Sequence, residues 1–161
     1  MEKIKILFIC YGNICRSTMA QSLMVELVAR NNLSDYFEIN SAGTSAEELG
    51  NPMYPPAART LEAHEIPITP HKATRLTKKD YEQYNLLLCM EEKNVEAVLE
   101  ITGGDPDQKI HRVLDISPDP RDIPDPWYTG EFEQTFLELT EGCDYLLGSL
   151  LFKPEDKTTD D

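Results

Sequence analysis

The chain has 161 residues, enough for one domain with a proper hydrophobic core and too few for two. Apolar residues make up 40% and charged residues 27%, an ordinary globular mixture, and no apolar run approaches the roughly 20 residues that cross a bilayer. A net charge of −14 argues against nucleic acid as a partner, because neutralising a phosphate backbone takes a basic face. The opening MEKIKILFIC is too short in apolar residues for a signal peptide and has no small-residue cleavage site before Cys10, so a cytoplasmic address without membrane contact is expected.

Taken in chain order, residues 3–9 (KIKILFI) read as a buried parallel strand, continuous in apolar residues rather than alternating. Residues 17–30 follow with helical spacing, Met19, Leu23 and Leu27 sharing a face with Ala20, Met24 and Val28. A second strand is predicted over 37–42, ended by Gly43, and a proline-opened helix over 57–64. Thr77 starts a helix reaching Tyr84, residues 85–90 (NLLLCM) form another buried strand, and Val95, Val98 and Leu99 mark the helix after it. Residues 110–114 suit an edge strand. Residues 117–126 (SPDPRDIPDP) must be a loop, since four prolines in ten residues forbid a helix or a central strand. Residues 132–151 make a long closing helix. The tail, 153–161, has no apolar residue and is expected to be disordered.

Strands alternating with helices imply an α/β fold. The expected architecture is a single three-layer domain over 1–152: a four-stranded parallel sheet, helices on both faces, and a phosphate-binding loop after strand 1. Ligands of such sheets sit beyond the carboxyl ends of the strands, and Cys10 is placed there, directly after the first strand.

The loop CYGNICRS, Cys10 to Ser17, joins that strand to a helix. Its backbone amides can curl into an anion-binding nest, reinforced by the N-terminal amides and partial positive charge of the helix. Gly12 is expected to supply the unusual backbone angle of the curl, and Asn13 tolerates one too. Arg16, at the helix start, offers a planar fork for two phosphate oxygens. Cys10 lies beneath the phosphorus, its thiolate favoured by the same positive potential, and in line to form a phosphocysteine. Ser17 can donate to the sulfur and help it leave. Cys-x5-Arg alone is a weak pattern in a chain with four Cys and six Arg; the strand before it, Gly-Asn within it and the amphipathic helix after it strengthen it.

Expelling an alkoxide or phenoxide takes a general acid, and the candidates share one loop: Asp115, Asp119, Asp122 and Asp125. Asp125 is preferred because Pro126 stiffens the chain beside it and Trp127 and Tyr128 follow, either of which can stack on a phenyl ring. Asp119 and Asp122 read as solvated turn carboxylates. The cysteines at 10, 15, 89 and 143 form no CxxC pair, and His64, His71 and His111 are scattered, so neither metal nor other cofactor is expected. Cys89 and Cys143 read as core filler.

CYGNICRS, with SAGT at 41–44, GNP at 50–52, LLLCM at 86–90 and DPWY at 125–128, resembles the low-molecular-weight protein tyrosine phosphatases over most of the chain, to about residue 151. The resemblance implies hydrolysis of phosphotyrosine, with Cys10 as nucleophile, Arg16 on the phosphate and Asp125 as general acid and then base. Tyr11, Gly12, Asn13, Ile14, Cys15 and Ser17 would surround the phosphate, with Trp127 and Tyr128 beside it. It further implies a supporting network of Asn13, Ser17, Ser41 and His71 behind the loop, and a redox pairing of Cys10 with Cys15. Thr18 stands where the family has a proline, a mild change at a helix start, and two further departures matter. Glu47 stands where a cleft-wall tryptophan is common, which is expected to disfavour acidic phosphopeptides. Tyr11, at the cleft rim, is larger than usual. The substrate is expected to be a tyrosine-phosphorylated protein or a small phosphate ester, and the chain a monomer. Phosphoarginine phosphatases are the nearest rival, but Ile14 suits an aromatic ring better than a guanidinium. An arsenate reductase would need two further cysteines in a mobile segment, and a non-catalytic binding module would have no use for Asp125.

Overall fold

A computed structural model describes residues 2–151; the acidic tail at 153–161 lies outside them. Four parallel strands lie in the order β2-β1-β3-β4, where β1 is Ile4–Cys10, β2 Phe37–Gly43, β3 Leu86–Cys89 and β4 Ile110–Arg112. The central strand β1 is continuously apolar and buried from Ile6 to Cys10 because both of its faces are covered there. Ile6, Phe8 and Cys10 point into one core, shared with helix α1 (Arg16–Arg30), α2 (Pro55–Ala63) and α6 (Phe132–Leu151). Leu7 and Ile9 point into the other, under α3 (Lys78–Gln83) and α4 (Glu92–Thr102). Cys89 and Cys143 are buried among these cores, and burial pushes both thiols up, Cys143 to about 12.

The strand order creates the site. From β1 the chain turns through α1 on one face to reach β2; from β3 it turns through α4 on the other. The two connections leave the carboxyl edge in opposite directions, and a crevice opens between them. Cys10 is the last residue of β1 rather than the first beyond it, paired in register with Gly43, so the sheet itself anchors the sulfur at the crevice floor.

Three local features differ from expectation. The edge strand is shorter than 110–114, because the Asp115 carboxylate accepts from the Arg112 backbone N–H and from Nε, each at 2.8 Å, and turns residues 113–116 into a 3-10 helix. The loop reaches only Asp125, and Pro126–Thr129 forms a short helix, α5. Asp125 caps it by accepting from Trp127 N at 3.0 Å, proline takes the first position, and Gly130 ends it at φ 74°. The proline-rich helix also starts earlier than residue 57, at Pro55.

Candidate active site

Residues 10–16 wrap the end of β1 into a tight turn. The carbonyls of Cys10, Tyr11, Ile14 and Cys15 accept from the amides of Thr44, Ser45, Tyr54 and Met19, at 2.9–3.0 Å. A trans peptide unit points its C=O and N–H in opposite directions. Those four bonds therefore turn the N–H groups of Tyr11, Gly12, Cys15 and Arg16 the other way, away from the protein bonds that hold the carbonyls. The Asn13 amide points at the Cys10 sulfur, N to Sγ being 3.3 Å. The left-handed residue of the curl is Asn13, at φ 60°, and not Gly12, which adopts no positive φ. Asparagine tolerates that conformation better than most residues, and here four hydrogen bonds fasten its side chain. The glycine that the loop requires lies outside it, in β2: a Cβ at Gly43 would stand 2.7 Å from the Tyr11 carbonyl and 3.2 Å from the Asn13 Cβ.

Beneath the loop lies a buried polar cluster. Asn13 Nδ2 donates to Ser17 Oγ at 2.7 Å and to Ser41 Oγ at 3.0 Å, and Ser41 Oγ donates to Gln21 Oε1 at 2.6 Å. Asn13 Oδ1 accepts from Thr74 N at 3.0 Å and from His71 Nε2 at 2.8 Å, which places the imidazole proton on Nε2. The four supporting residues expected from the sequence thus meet in space. Gln21 and Thr74 belong with them and carry no signal in the sequence beyond being polar. Burial holds the His71 pKa below the ordinary imidazole value, so the ring is neutral in this network. Ser17 Oγ is 3.0 Å from Cys10 Sγ and fully buried, so it underlies the sulfur and does not line the cleft.

Above the loop, residues 10–16 line a cleft together with Glu47, Asp125, Trp127 and Tyr128. Arg16, 1% exposed, is held from the far side of the crevice. Its Nη1 donates to Glu91 Oε2 at 2.6 Å and to the Ile123 carbonyl at 2.8 Å, and Nη2 lies 3.3 Å from Asp125 Oδ2. Both Nη1 protons are therefore committed within the protein, which leaves the Nε–Nη2 edge as the fork. Glu91 was not singled out from the sequence. Its signal is positional: it follows β3 at the carboxyl edge, as Tyr11 follows β1.

The cleft walls contrast. On one side Trp127 packs on Tyr54, ring centroids 4.8 Å apart, and Tyr54 on Phe132, making an aromatic wall that the sequence pointed to only at 127 and 128. On the other, Tyr11 Oη donates to Glu47 Oε1 at 2.8 Å, with Glu48 next to it on the lining. Cys15 lies in the loop as a free, buried thiol, pushed up to about 12 by burial and by the nearby Cys10. No group of three or more His, Cys, Asp or Glu suited to a metal occurs among the described residues.

A cysteine at the carboxyl edge of a parallel sheet, ringed by an amide-rich loop and an arginine, defines an α/β protein with an anion-binding thiol site. Residues 5–156 match the family described as low molecular weight phosphotyrosine protein phosphatase, and the chain belongs to that family. It is 32% identical over 149 residues to the low molecular weight protein-tyrosine-phosphatase YfkJ of Bacillus subtilis, covering 91% of this chain and 96% of that one. To the human low molecular weight phosphotyrosine protein phosphatase it is 33% identical over 143 residues, covering 86% and 90%. The crystal structure of Bacillus subtilis YfkJ superposes with a TM-score of 0.91 at 31% identity, over 94% of this chain and 96% of that one. A Drosophila arginine phosphatase shares the fold at a TM-score of 0.81 and 23% identity, over 90% and 96%.

Proposed function

We propose that this protein hydrolyses phosphotyrosine through a phosphocysteine on Cys10. The observation that carries the reading is the convergence on one crevice of Cys10 Sγ and the Arg16 guanidinium, both from the loop at the end of β1, with the Asp125 carboxylate from the distant segment before α5. The loop amides and the Nε–Nη2 edge of Arg16 hold the non-bridging phosphate oxygens. The Cys10 thiolate attacks phosphorus opposite the ester oxygen; the S–P bond forms as the P–O bond breaks, and protonated Asp125 gives its proton to the departing tyrosyl oxygen. Asp125, now a carboxylate, takes a proton from water, whose oxygen attacks phosphorus. The S–P bond breaks and Cys10 leaves as thiolate, stabilised by Ser17 Oγ and the Asn13 amide. Ile14 and the Trp127 side of the cleft offer apolar surface to a phenyl ring.

A second reading rests on a specific feature. Glu47 and Glu48 on the opposite wall suit a guanidinium, which favours phosphoarginine. One assay separates the two. On phosphotyrosine, phosphoarginine and phosphoserine, kcat/KM is expected to be highest for phosphotyrosine. Cys10→Ser abolishes turnover, and Asp125→Asn lowers it by about 10²–10⁴-fold, the usual contribution of a positioned acid. Higher kcat/KM on phosphoarginine would transfer the assignment to the second reading, and full turnover in Cys10→Ser would end both.

A further inference from the structure

The segment between Asp119 and Asp125 has no regular hydrogen-bond ladder of its own, yet three successive residues tie it to three different elements. Arg121 reaches outward to α6. Its Nε donates to Glu138 Oε2 at 3.1 Å, Nη2 to Glu141 Oε1 at 3.1 Å, and Nη1 folds back onto the Asp119 carbonyl at 2.8 Å. Glu138 is a buried carboxylate that pairs with this guanidinium. Asp122 turns the opposite way. Its Oδ1 accepts from the Glu92 amide at the start of α4, at 2.9 Å, and from Arg112 Nη1 at 3.0 Å. Ile123, fully buried, then inserts between them. Its N–H donates to the Met90 carbonyl beyond β3 at 2.9 Å, and its C=O accepts from Arg16 Nη1 at 2.8 Å.

This arrangement reaches the reacting groups. The Ile123 carbonyl is one of the two acceptors on Nη1 that, with Asp125 on Nη2, set the rotation of the Arg16 guanidinium, so its position helps determine where the Nε–Nη2 edge points. Two residues later the same strand of chain delivers Asp125, whose Oδ2 is 3.3 Å from Arg16 Nη2. Pro124 stiffens the backbone between Asp122 and Asp125, so a displacement at Arg121 or Asp122 is passed on toward the Asp125 carboxyl.

We propose that Arg121 and Asp122 are positioning residues that hold the Arg16 fork and the Asp125 carboxyl in register with each other over Cys10. They touch no substrate; they act through Ile123 and Asp125. The inference rests on Asp125 being the general acid, and the test separates its failure from failure of that assignment.

The experiment compares kcat/KM on p-nitrophenyl phosphate, whose leaving group departs unaided, and phenyl phosphate, whose leaving group needs a proton, alongside competitive inhibition by inorganic phosphate. Arg121→Ala is expected to lower kcat/KM on phenyl phosphate about tenfold more than on p-nitrophenyl phosphate, since misplacement on the ångström scale costs up to about 100-fold in rate. It is also expected to weaken phosphate inhibition several-fold through Arg16. Arg121→Lys keeps a charge beside Glu138 but loses the fork, so it folds where the alanine variant fails and shifts both readouts in the same direction. Asp125→Asn raises the ester ratio without weakening phosphate. A folded Arg121 variant with wild-type ester ratio and phosphate inhibition, even one of lowered Tm, overturns the proposal. An unchanged ester ratio in Asp125→Asn instead overturns the acid assignment beneath it.

Discussion

His71 shows how one residue carries both stability and function. Its ring is half-buried, neutral and tied through Nε2 to the side chain that holds the loop at its left-handed residue. Burial lowers its folded pKa below the unfolded value of 6.5. Between those two values the unfolded chain binds more protons than the folded one, so stability rises with pH there. Above 6.5 the contribution is complete; as the pH falls below 6.5 it is lost, until the folded ring itself titrates. The urea midpoint is therefore expected to fall as the pH drops below 6.5, and His71→Asn is expected to remove that part of the fall. An identical pH dependence in the variant would exclude His71 as its source. At this scale the sequence was legible where chemistry is concentrated. Cys10 and Arg16 could be singled out from residue type, spacing and their place between strand and helix. Asp125 stands out among four aspartates for its neighbours and by family resemblance, and its carboxylate lies 3.3 Å from Arg16. Gln21, Thr74 and Glu91 could not be singled out, because a polar residue at a helix or strand end has many uses and only the fold selects one.

At the scale of elements, the loop depends on β2 as much as on β1. Gly43 allows the Tyr11 carbonyl within a distance that no Cβ tolerates, so Gly43→Ala must push the loop or the strand away. Gly43 is fastened on both sides, in register with Cys10 on one and by 2.8 Å hydrogen bonds to Thr74 O and from Leu76 N on the other, so the loop is expected to give first. Gly43→Ala should cost about 1–3 kcal/mol, as overpacking does, with kcat/KM falling further than that loss of stability explains. A variant with normal kinetics and a lowered urea midpoint would place the displacement in the strand instead. Sequence patterns located the strands well because their apolar runs are short, bounded and continuous. They missed α5, whose four residues present no periodicity and are made by a cap, a proline and a glycine. They overextended β4, because the carboxylate that ends it competes for the same backbone amide that another ladder bond would use. Gly12 drew the expectation of an unusual angle because glycine permits one; the angle fell on Asn13, which can be fastened there by its own side chain.

The whole molecule is a crevice made by strand order. Two connections leave adjacent strands toward opposite faces, and a third segment, rich in proline and fastened on three sides, bridges the gap. The connection after β1 carries Cys10 and Arg16, the one after β3 carries Glu91 that holds Arg16, and the proline-rich segment carries Asp125. Glu47 and Glu48 share the rim of the cleft with Trp127 and Tyr128, so in the proposed reaction the rim sets substrate choice while the thiol and its ring of amides serve the phosphate. The central claim is that the thiol of Cys10 carries the phosphoryl group. Acid quench within the first turnovers on p-nitrophenyl phosphate, followed by peptide mass spectrometry, tests it directly. The account predicts one phosphate on the peptide containing Cys10, enriched in Asp125→Asn because the water attack is slowed, and absent in Cys10→Ser. Turnover with no phosphate on that peptide, or with phosphate on another residue, would contradict it.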